Sequence, residues 1–324
     1  MMLQIGDQFD RFQIRNHMAQ GGMADIYRAY DMTTGKEVVL KIPNRMMIGD
    51  PAQYERFQRE LSVMNELHHP SIQTGLGSGQ FNRTPYLVTE FVDGKSMRDV
   101  VSQKAPMPPE EAIALIHKIA DGMAYCHEHD VVHRDLKPEN ILITTDDQPV
   151  IIDFGLALTK EARRVTYANL TPSAGTPDYM APEQIEGQRG DQRTDIYAIG
   201  TMLYELLAGH VPFTGDSYQV VMQQHLQAAI PRLDAEKPDI SPQLSALVTR
   251  CLQRNAEDRY PTMRALIHDL DNLTAVDTGI LQKGTGAITA VPFWKSPTFR
   301  AVAVSILVLL AIVVLAVAAQ GLRR

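Results

Sequence analysis

The sequence predicts an α+β protein with a small β-rich lobe, a larger helical lobe and one membrane-spanning helix at its C-terminus. Three observations lead to this prediction. Apolar and polar residues alternate through the first part of the chain, as is typical of strands. From Pro108 onward, apolar residues recur at helical spacing instead. Residues 301–319 then form an uncharged apolar run that is long enough to cross a bilayer.

Length and composition set the outer limits of this prediction. A chain of 324 residues suits one bilobal domain of roughly 250–300 residues with an appendage. The net charge of -7 and the lack of a long Lys/Arg block disfavour nucleic acid as the main partner, because binding phosphates requires a basic surface. Cys126 and Cys251 lie far apart in apolar helical contexts and form no CxxC, which indicates buried free thiols in a reducing compartment.

The small lobe is predicted over about residues 9–92. Its strands are separated by the turn-forming segments "QGG" and "MTTGK", and a helix starts at Pro51, after Asp50. This pattern predicts an antiparallel meander, then a helix, then two more strands. The predicted strands are 12–19, 24–31, 36–42, about 75–81 and about 85–92, and the predicted helix is 51–68.

The large lobe is predicted over about residues 93–273. The helix that starts at Pro108 has apolar positions at Ala112, Ile116 and Ile119. Short strands are predicted at 131–132, 141–144 and 150–153, and further helices at 195–208, 217–227, 241–254 and 262–273. Residues 274–298 contain Gly, Thr and Ala without an apolar period, so they are predicted to be a juxtamembrane linker.

The C-terminal apolar run predicts a transmembrane helix over 299–319. At about 1.5 Å per residue, residues 301–319 span about 28 Å, close to the hydrocarbon thickness of about 30 Å. A buried core helix is the alternative, but such helices keep a polar stripe and this run has only Ser305. Trp294 and Lys295 precede the run and two arginines follow it, as interface anchors do. Residues 320–324 would form a short tail beyond the membrane.

The polar stretch "VHRDLKPEN" at 132–140 lies between apolar residues, and it is one of five short segments that follow a known order. The segments are "AQGGMADI", "VVLK", "HRDLKPEN", "DFG" and "APE". In this order they resemble the eukaryotic-like Ser/Thr protein kinases of bacteria, over roughly residues 9–273. The resemblance implies the bilobal protein-kinase fold and transfer of the ATP γ-phosphoryl group to serine and threonine hydroxyls of proteins.

The resemblance also implies a catalytic set within that stretch. Phosphoryl transfer depends mainly on positioning and on neutralising charge. Asp135 would accept the proton of the attacking hydroxyl, and Lys137 would neutralise charge on the transferred group. Asn140 and Asp153 would hold magnesium (Mg²⁺), or manganese (Mn²⁺) in its place, because hard cations prefer oxygen ligands. Taken singly, these residues could equally form turns or cap helices.

Further residues are expected, by the same resemblance, to bind ATP. Lys41 would contact the α- and β-phosphates, and Glu60 would pair with it from the helix, with Glu55 as the nearest competitor. Backbone groups of Glu90 and Val92 would bond the adenine.

The glycine-rich loop departs from the G-x-G-x-x-G pattern. Ala19 stands at its first glycine and Ala24 at its third, so only Gly21 matches, with Gly22 beside it. The two glycines still allow backbone amides to approach phosphate closely. Ile26, on the strand that follows, belongs to the same expected nucleotide set.

Regulation is expected from the segment between Asp153 and Glu183. Arg134 precedes the catalytic aspartate, and in the family this arginine meets a phosphate that orders the segment. The candidate autophosphorylation sites are Thr166, Thr171 and Ser173. The resemblance further implies that Asp195 anchors the catalytic loop and that Glu183 forms a buried ion pair with Arg259.

Two alternative functions remain open at this stage. A pseudokinase scaffold would explain Ala19, but the intact Lys41, Asp135, Asn140 and Asp153 argue against it. A small-molecule phosphotransferase would share the fold, but "APE" and the hydroxyl-rich segment favour a protein substrate. ATP and magnesium are cytoplasmic, which would place the kinase domain in the cytoplasm with a single pass through the inner membrane. A homodimer and a cognate phosphatase are further expected partners.

Overall fold

The computed structural model describes residues 3–20, 24–43, 66–154 and 177–282. Alternating apolar residues build an antiparallel six-stranded sheet in the first of the two lobes, with strand order β1-β2-β3-β4-β6-β5. The strands are β1 (Gln8–Phe9), β2 (Phe12–Gln20), β3 (Ala24–Asp31), β4 (Lys36–Pro43), β5 (Gly75–Phe81) and β6 (Thr84–Glu90). The three predicted strands of the meander are therefore confirmed.

The two faces of this sheet have different neighbours. Leu40 and Tyr27 belong to an apolar cluster that is confined to the small lobe. Successive residues of a strand point to opposite faces, so Lys41 must lie on the other face from Leu40. Lys41 pairs in register with Leu87, which belongs to the core cluster of the large lobe together with Phe154. The Lys41 face of the sheet is therefore turned toward the large lobe.

After β6 the chain passes to the large lobe and enters a second, three-stranded sheet. Its strands are β7 (Gly94–Ser96), β8 (Ile141–Thr144) and β9 (Pro149–Ile151). A second connection comes from the segment before β5, where the Gln73 amide donates to the Ile151 carbonyl (2.9 Å) and the Ile151 amide donates to the Ser71 carbonyl (2.8 Å). The lobes are thus joined by backbone hydrogen bonds as well as by the covalent hinge.

Helices form most of the described large lobe. They are α1 (Met97–Lys104), α2 (Pro109–Glu128), α3 (Pro182–Ile185), α4 (Gln192–Ala208), α5 (Tyr218–Gln227), α6 (Leu233–Glu236), α7 (Pro242–Cys251) and α8 (Met263–Asp271). Every residue of α4 from Thr194 to Ala208 is buried, which identifies it as the central helix. Asp191 caps its first turn, and Gly209 ends it in the left-handed conformation, with a φ of 88°.

Helix α1 is not among the predicted elements, and two of the predicted segments differ from the structure. The strand predicted at 131–132 is reduced to a single β-bridge at Val132, because the Val131 amide closes the end of α2 by donating to the Cys126 carbonyl (2.9 Å). Residues 274–282 were predicted to begin a linker. They instead form part of two 3₁₀ turns, Leu273–Ala275 and Thr278–Leu281, with Leu281 buried. The packed body of the large lobe therefore continues past residue 273.

The described ranges contain no helix that combines the length and the apolarity required to cross a membrane. The transmembrane helix predicted over 299–319 lies outside the described residues and stays a prediction. The same is true of the helix predicted over 51–68, of which only the last residues are described.

Candidate active site

The catalytic turn brings three predicted residues into direct contact. The Lys137 ammonium lies 2.8 and 3.0 Å from the two carboxylate oxygens of Asp135. The Asn140 amide nitrogen donates to the Asp135 carbonyl oxygen (2.7 Å) and to its carboxylate (3.1 Å). Pro138–Asn140 form a 3₁₀ turn that turns Asn140 back toward Asp135. Because the amide nitrogen makes both bonds, the Asn140 amide oxygen is the atom suited to coordinate a cation.

The electrostatic setting of Asp135 suits a base. Its recessed position raises the pKa of the carboxyl above the ordinary value, and the negative charge of Asp153 adds to this rise. The Lys137 ammonium opposes it. A general base works best when its pKa approaches the operating pH, so this shift favours proton acceptance.

The catalytic turn is held from below by Asp195, in the first turn of α4. Its carboxylate accepts hydrogen bonds from the backbone amides of His133 (3.0 Å) and Arg134 (2.8 Å) and from the His127 ring (2.8 Å). Burial alone would raise the pKa of Asp195, but the bond and charge of His127 and the other donors outweigh it and lower that pKa. The expected anchoring role of Asp195 is therefore visible in its contacts.

Asp153 follows β9 in an unusual backbone conformation. Its φ is +65°, in the left-handed region, and the next side chain, Phe154, is buried against the ring of His133 at 4.8 Å. Arg134 also has a positive φ, of +68°. Non-glycine residues in this region are uncommon and cluster at functional sites. The buried Phe154 thus fixes the position at which the exposed Asp153 carboxylate enters the cleft.

Sheet register places three of the predicted nucleotide residues in one row. Ala19 pairs with Ile26, and Ile26 pairs with Lys41 on the opposite side of β3. Residues directly opposite each other in a sheet share a face, so these side chains lie together on the side turned toward the large lobe. Lys41 is 8% exposed. A buried ammonium on this face suits contact with phosphate oxygens.

The hinge contains a hydrogen-bond unit that the sequence did not reveal. The Gln73 side-chain amide donates to the Glu90 carbonyl (3.0 Å), and the Thr74 amide donates to the Glu90 carboxylate (2.8 Å). The Glu90 carbonyl keeps a second lone pair for an adenine amino group. Val92 is half-buried just beyond β6. Among the described residues, the fully buried Thr89 hydroxyl has no hydrogen-bond partner, which leaves a polar atom at the back of the expected adenine site.

Glu183 and Arg259 form the buried pair that the resemblance implied. Two guanidinium nitrogens of Arg259 donate to the two Glu183 oxygens at 2.8 and 2.7 Å, and Thr194 donates a third bond at 2.8 Å. These bonds lower the pKa of Glu183, although its burial alone would raise it. The pair fixes α3, just after the predicted activation segment, against the base of the large lobe.

Several predicted site residues lie outside the described residues. They are Gly21, Gly22, Glu60, Thr166, Thr171 and Ser173. Of the predicted catalytic residues, the structure brings Asp135, Lys137 and Asn140 together. It also shows hydrogen bonds that the sequence did not predict, from Gln73 to Glu90 and from Arg98 to Glu139. These bonds join residues far apart in the chain, so no local pattern indicates them.

The residues present fit ATP with a divalent cation. Asn140 and Asp153 supply amide and carboxylate oxygens, and magnesium beside a nucleotide usually takes one or two protein carboxylates and completes its shell with phosphates and water. The orphaned Thr89 hydroxyl and the Glu90 carbonyl suit the base, and Lys41 suits the phosphates. When bound, the nucleotide and its metal would supply an activated phosphoryl group, while the charged side chains of the protein orient it.

A two-lobed fold with this Asp–Lys–Asn turn, its buried anchor and a lysine under the small sheet defines the protein-kinase fold. Comparison with known proteins agrees, since the protein kinase domain family matches residues 12–270. The chain therefore belongs to the protein kinase domain family.

Individual relatives are bacterial. The chain is 35% identical over 278 residues to the probable serine/threonine-protein kinase PknB of Lactococcus lactis, covering 85% of this chain and 44% of that protein. It is 35% identical over 261 residues to the serine/threonine-protein kinase PknL of Mycobacterium tuberculosis, covering 81% and 65%. The crystal structure of the M. tuberculosis PknI kinase domain matches with a TM-score of 0.65 and 25% identity, covering 84% of this chain and all of that one. This chain thus spans less than two thirds of the length of these two curated relatives.

Proposed function

We propose that this chain is a serine/threonine protein kinase that uses ATP and a divalent cation, Mg²⁺ or Mn²⁺. The contact of Asp135 with Lys137 and Asn140, beside the charge of Asp153, carries the proposal. The names of the relatives support serine and threonine as acceptors. Lys137 agrees, since a lysine two residues after the catalytic aspartate resembles the Ser/Thr class.

The proposed step moves one phosphoryl group and one proton. The substrate hydroxyl oxygen forms a bond to the γ-phosphorus while the bond from that phosphorus to the β–γ bridging oxygen breaks, and ADP leaves. Asp135 accepts the hydroxyl proton, and its raised pKa makes it a stronger base for this purpose. Lys137 lies close enough to Asp135 to neutralise charge on the transferred group as well.

The purified full-length chain in detergent, with labelled ATP and magnesium, tests this proposal. We expect the wild type to label itself on serine or threonine and the Asp135→Asn variant to be slower by roughly 10²- to 10⁴-fold. Asp146→Asn is the matched control, since Asp146 is exposed in the turn between β8 and β9. Equal labelling in wild type and Asp135→Asn would remove the catalytic assignment.

Phosphosite mapping of the same sample tests regulation. We propose that autophosphorylation of Thr166, Thr171 or Ser173 activates the enzyme through Arg134, which is buried beside the catalytic turn. A phosphate adds up to about two negative charges and orders a segment against such a cation. Label found only outside residues 155–176 would contradict this route.

We propose further that residues 299–319 anchor the chain in the inner membrane with the kinase domain on the cytoplasmic side. The uncharged run at 301–319 supports the anchor. Deleting 299–324 should move the protein from carbonate-washed membranes to the soluble fraction. Persistence of the truncated chain in those membranes would contradict the anchor.

We also propose three kinds of partner for this chain: protein substrates, a second copy of the chain in a homodimer, and a cognate phosphatase. Sedimentation of the detergent-solubilised chain should give a mass above its monomer mass of 36.1 kDa after detergent correction. A single monomeric species across the concentration range would exclude a stable dimer.

A further inference from the structure

Arg98 lies where four elements of the large lobe meet. From the first turn of α1, its Nε donates to Glu139 in the catalytic turn (2.8 Å) and its Nη1 donates to Glu205 on α4 (2.7 Å). Its Nη2 donates to the Tyr179 hydroxyl in the 3₁₀ turn Pro177–Tyr179, which follows the predicted activation segment. Each guanidinium nitrogen therefore holds a different element.

This cluster differs from an ordinary surface ion pair. Glu205 is 6% exposed, and its second oxygen accepts a hydrogen bond from the Tyr179 hydroxyl. Burial and the neighbouring Glu205 charge raise the pKa of Tyr179, so the phenol stays protonated and keeps donating. Removing Arg98 would leave a buried carboxylate with a single neutral donor, and such a loss is far more disruptive than the loss of an exposed pair.

Two of the residues that Arg98 contacts, Glu139 and Tyr179, belong to segments that border the space in front of Asp135. Glu139 is the residue before Asn140, which donates to the Asp135 carboxylate. On the other side, Tyr179 precedes Met180, whose sulfur contacts the Tyr218 hydroxyl at 3.9 Å. Farther along the same segment, the Gln184 side-chain amide donates to the carbonyl of Arg134, the residue before Asp135 (2.7 Å). The catalytic turn and the Pro177–Tyr179 turn thus form two walls of the space that a substrate hydroxyl must enter.

We propose that Arg98 is a positioning residue that sets the distance between these two walls and so controls binding of the protein substrate. The inference rests on the proposed kinase activity. Within the part of the chain that the structure describes, the hydrogen bonds of Arg98 go to Glu139, Glu205 and Tyr179, none of which belongs to the expected nucleotide set. Its loss should therefore alter the KM for the protein substrate and leave the KM for ATP unchanged.

The chemistry of the cluster provides a specific signature. Without Arg98, three carboxylates would remain together: Glu139, Glu205 and Asp178. Burial already raises the pKa of Asp178, the Glu205 charge adds to the rise, and Arg98 opposes it. Loss of the guanidinium should strengthen that rise. It also leaves a space lined by acceptors that a small guanidinium ion fits.

The test uses the full-length chain, with the Asp135→Asn chain as protein substrate in trans. Arg98→Ala should raise the KM for that chain by roughly tenfold to a hundredfold, with the KM for ATP within about twofold of wild type. Millimolar methylguanidinium should restore part of the loss, while equal concentrations of urea or sodium chloride should not.

Arg264→Ala is the matched control, because Arg264 also bridges two carboxylates, Asp121 and Glu128, but on α2. It should behave as wild type. If Arg98→Ala does not fold, Glu139→Gln removes only the more exposed of the two ion pairs of Arg98. This variant should raise the KM for the protein substrate by less than Arg98→Ala does, again without changing the KM for ATP. Equal changes in both KM values, or absence of rescue by methylguanidinium, would overturn the inference. An inactive wild type would instead overturn the proposed function.

Discussion

Asp135 and Asp195 support the same loop and yet have opposite electrostatics. Asp135 lies half-buried in the cleft, with one ammonium and one amide as donors, and its pKa is raised. Asp195 is fully buried below the loop, where two backbone amides and His127 donate to it, and its pKa is lowered. Burial raises the pKa of both carboxyls, and the comparison teaches that it prevails at Asp135 but is outweighed at Asp195 by the larger set of donors.

The two shifts act on stability with opposite signs. The Asp195 carboxylate stabilises the fold above the ordinary aspartate pKa, and this contribution is lost as the pH falls through its lowered pKa. For Asp135 the folded state binds the proton more tightly, so stability falls as the pH rises from the ordinary value to the raised one. At neutral pH the ionised Asp135 carboxylate in the cleft therefore lowers the stability of the fold, whereas the ionised Asp195 carboxylate below the loop raises it.

The largest effect should come from breaking the anchor. Asp195→Ala leaves two buried amides and His127 without an acceptor, so we expect unfolding to become easier by about 3–5 kcal/mol in urea titrations, with loss of activity. Asp191→Ala, which removes an exposed cap of the same helix, should cost only about 1 kcal/mol. Similar losses in the two variants would show that Asp195 is no more than another helix residue.

An intermediate effect is expected on the cleft side of the comparison. Lys137→Met removes the cation that opposes the raised pKa of Asp135, so the acid limb of the pH–rate profile should move to higher pH. We expect kcat to fall roughly 10²- to 10³-fold as well, because charge on the transferred group is no longer neutralised. Lys104→Met, at an exposed pair with Glu111, is the control. An unchanged acid limb would show that Lys137 does not influence the titration of Asp135.

The smallest effect concerns a pair that is exposed on both sides. The Val211 carbonyl and then Glu236, 2.7 Å away, raise the pKa of His210 from 6.5. A raised histidine pKa stabilises the fold below the ordinary value, and this contribution disappears as the pH rises through the folded value. His210→Gln should therefore lower stability by less than about 1 kcal/mol at a pH of about 5.5 and have no effect at about 8.5. A loss that is larger at the higher pH would contradict this sign.

Local patterns explain what could be predicted from the sequence. The strands around Lys41 alternate clearly, and the proposed catalytic residues Asp135, Lys137 and Asn140 lie within one short stretch, so both could be predicted without coordinates. Helix α1 was missed because only Met97 and Val101 of its eight residues are buried, which is too few to establish a period. The contacts of Arg98 were missed because its partners Glu139 and Glu205 are 41 and 107 positions away.

The row that carries Ala19, Ile26 and Lys41 across the small sheet ends on Leu87. Leu87 is fully buried in the same apolar cluster as Phe154 of the large lobe. Parting the lobes there would expose hydrocarbon to water, whereas the exposed Ala19 end has no such cost. We therefore expect the two lobes to stay packed at Leu87 and to separate at the Ala19 end. Nucleotide would then enter and leave the cleft on the Ala19 side.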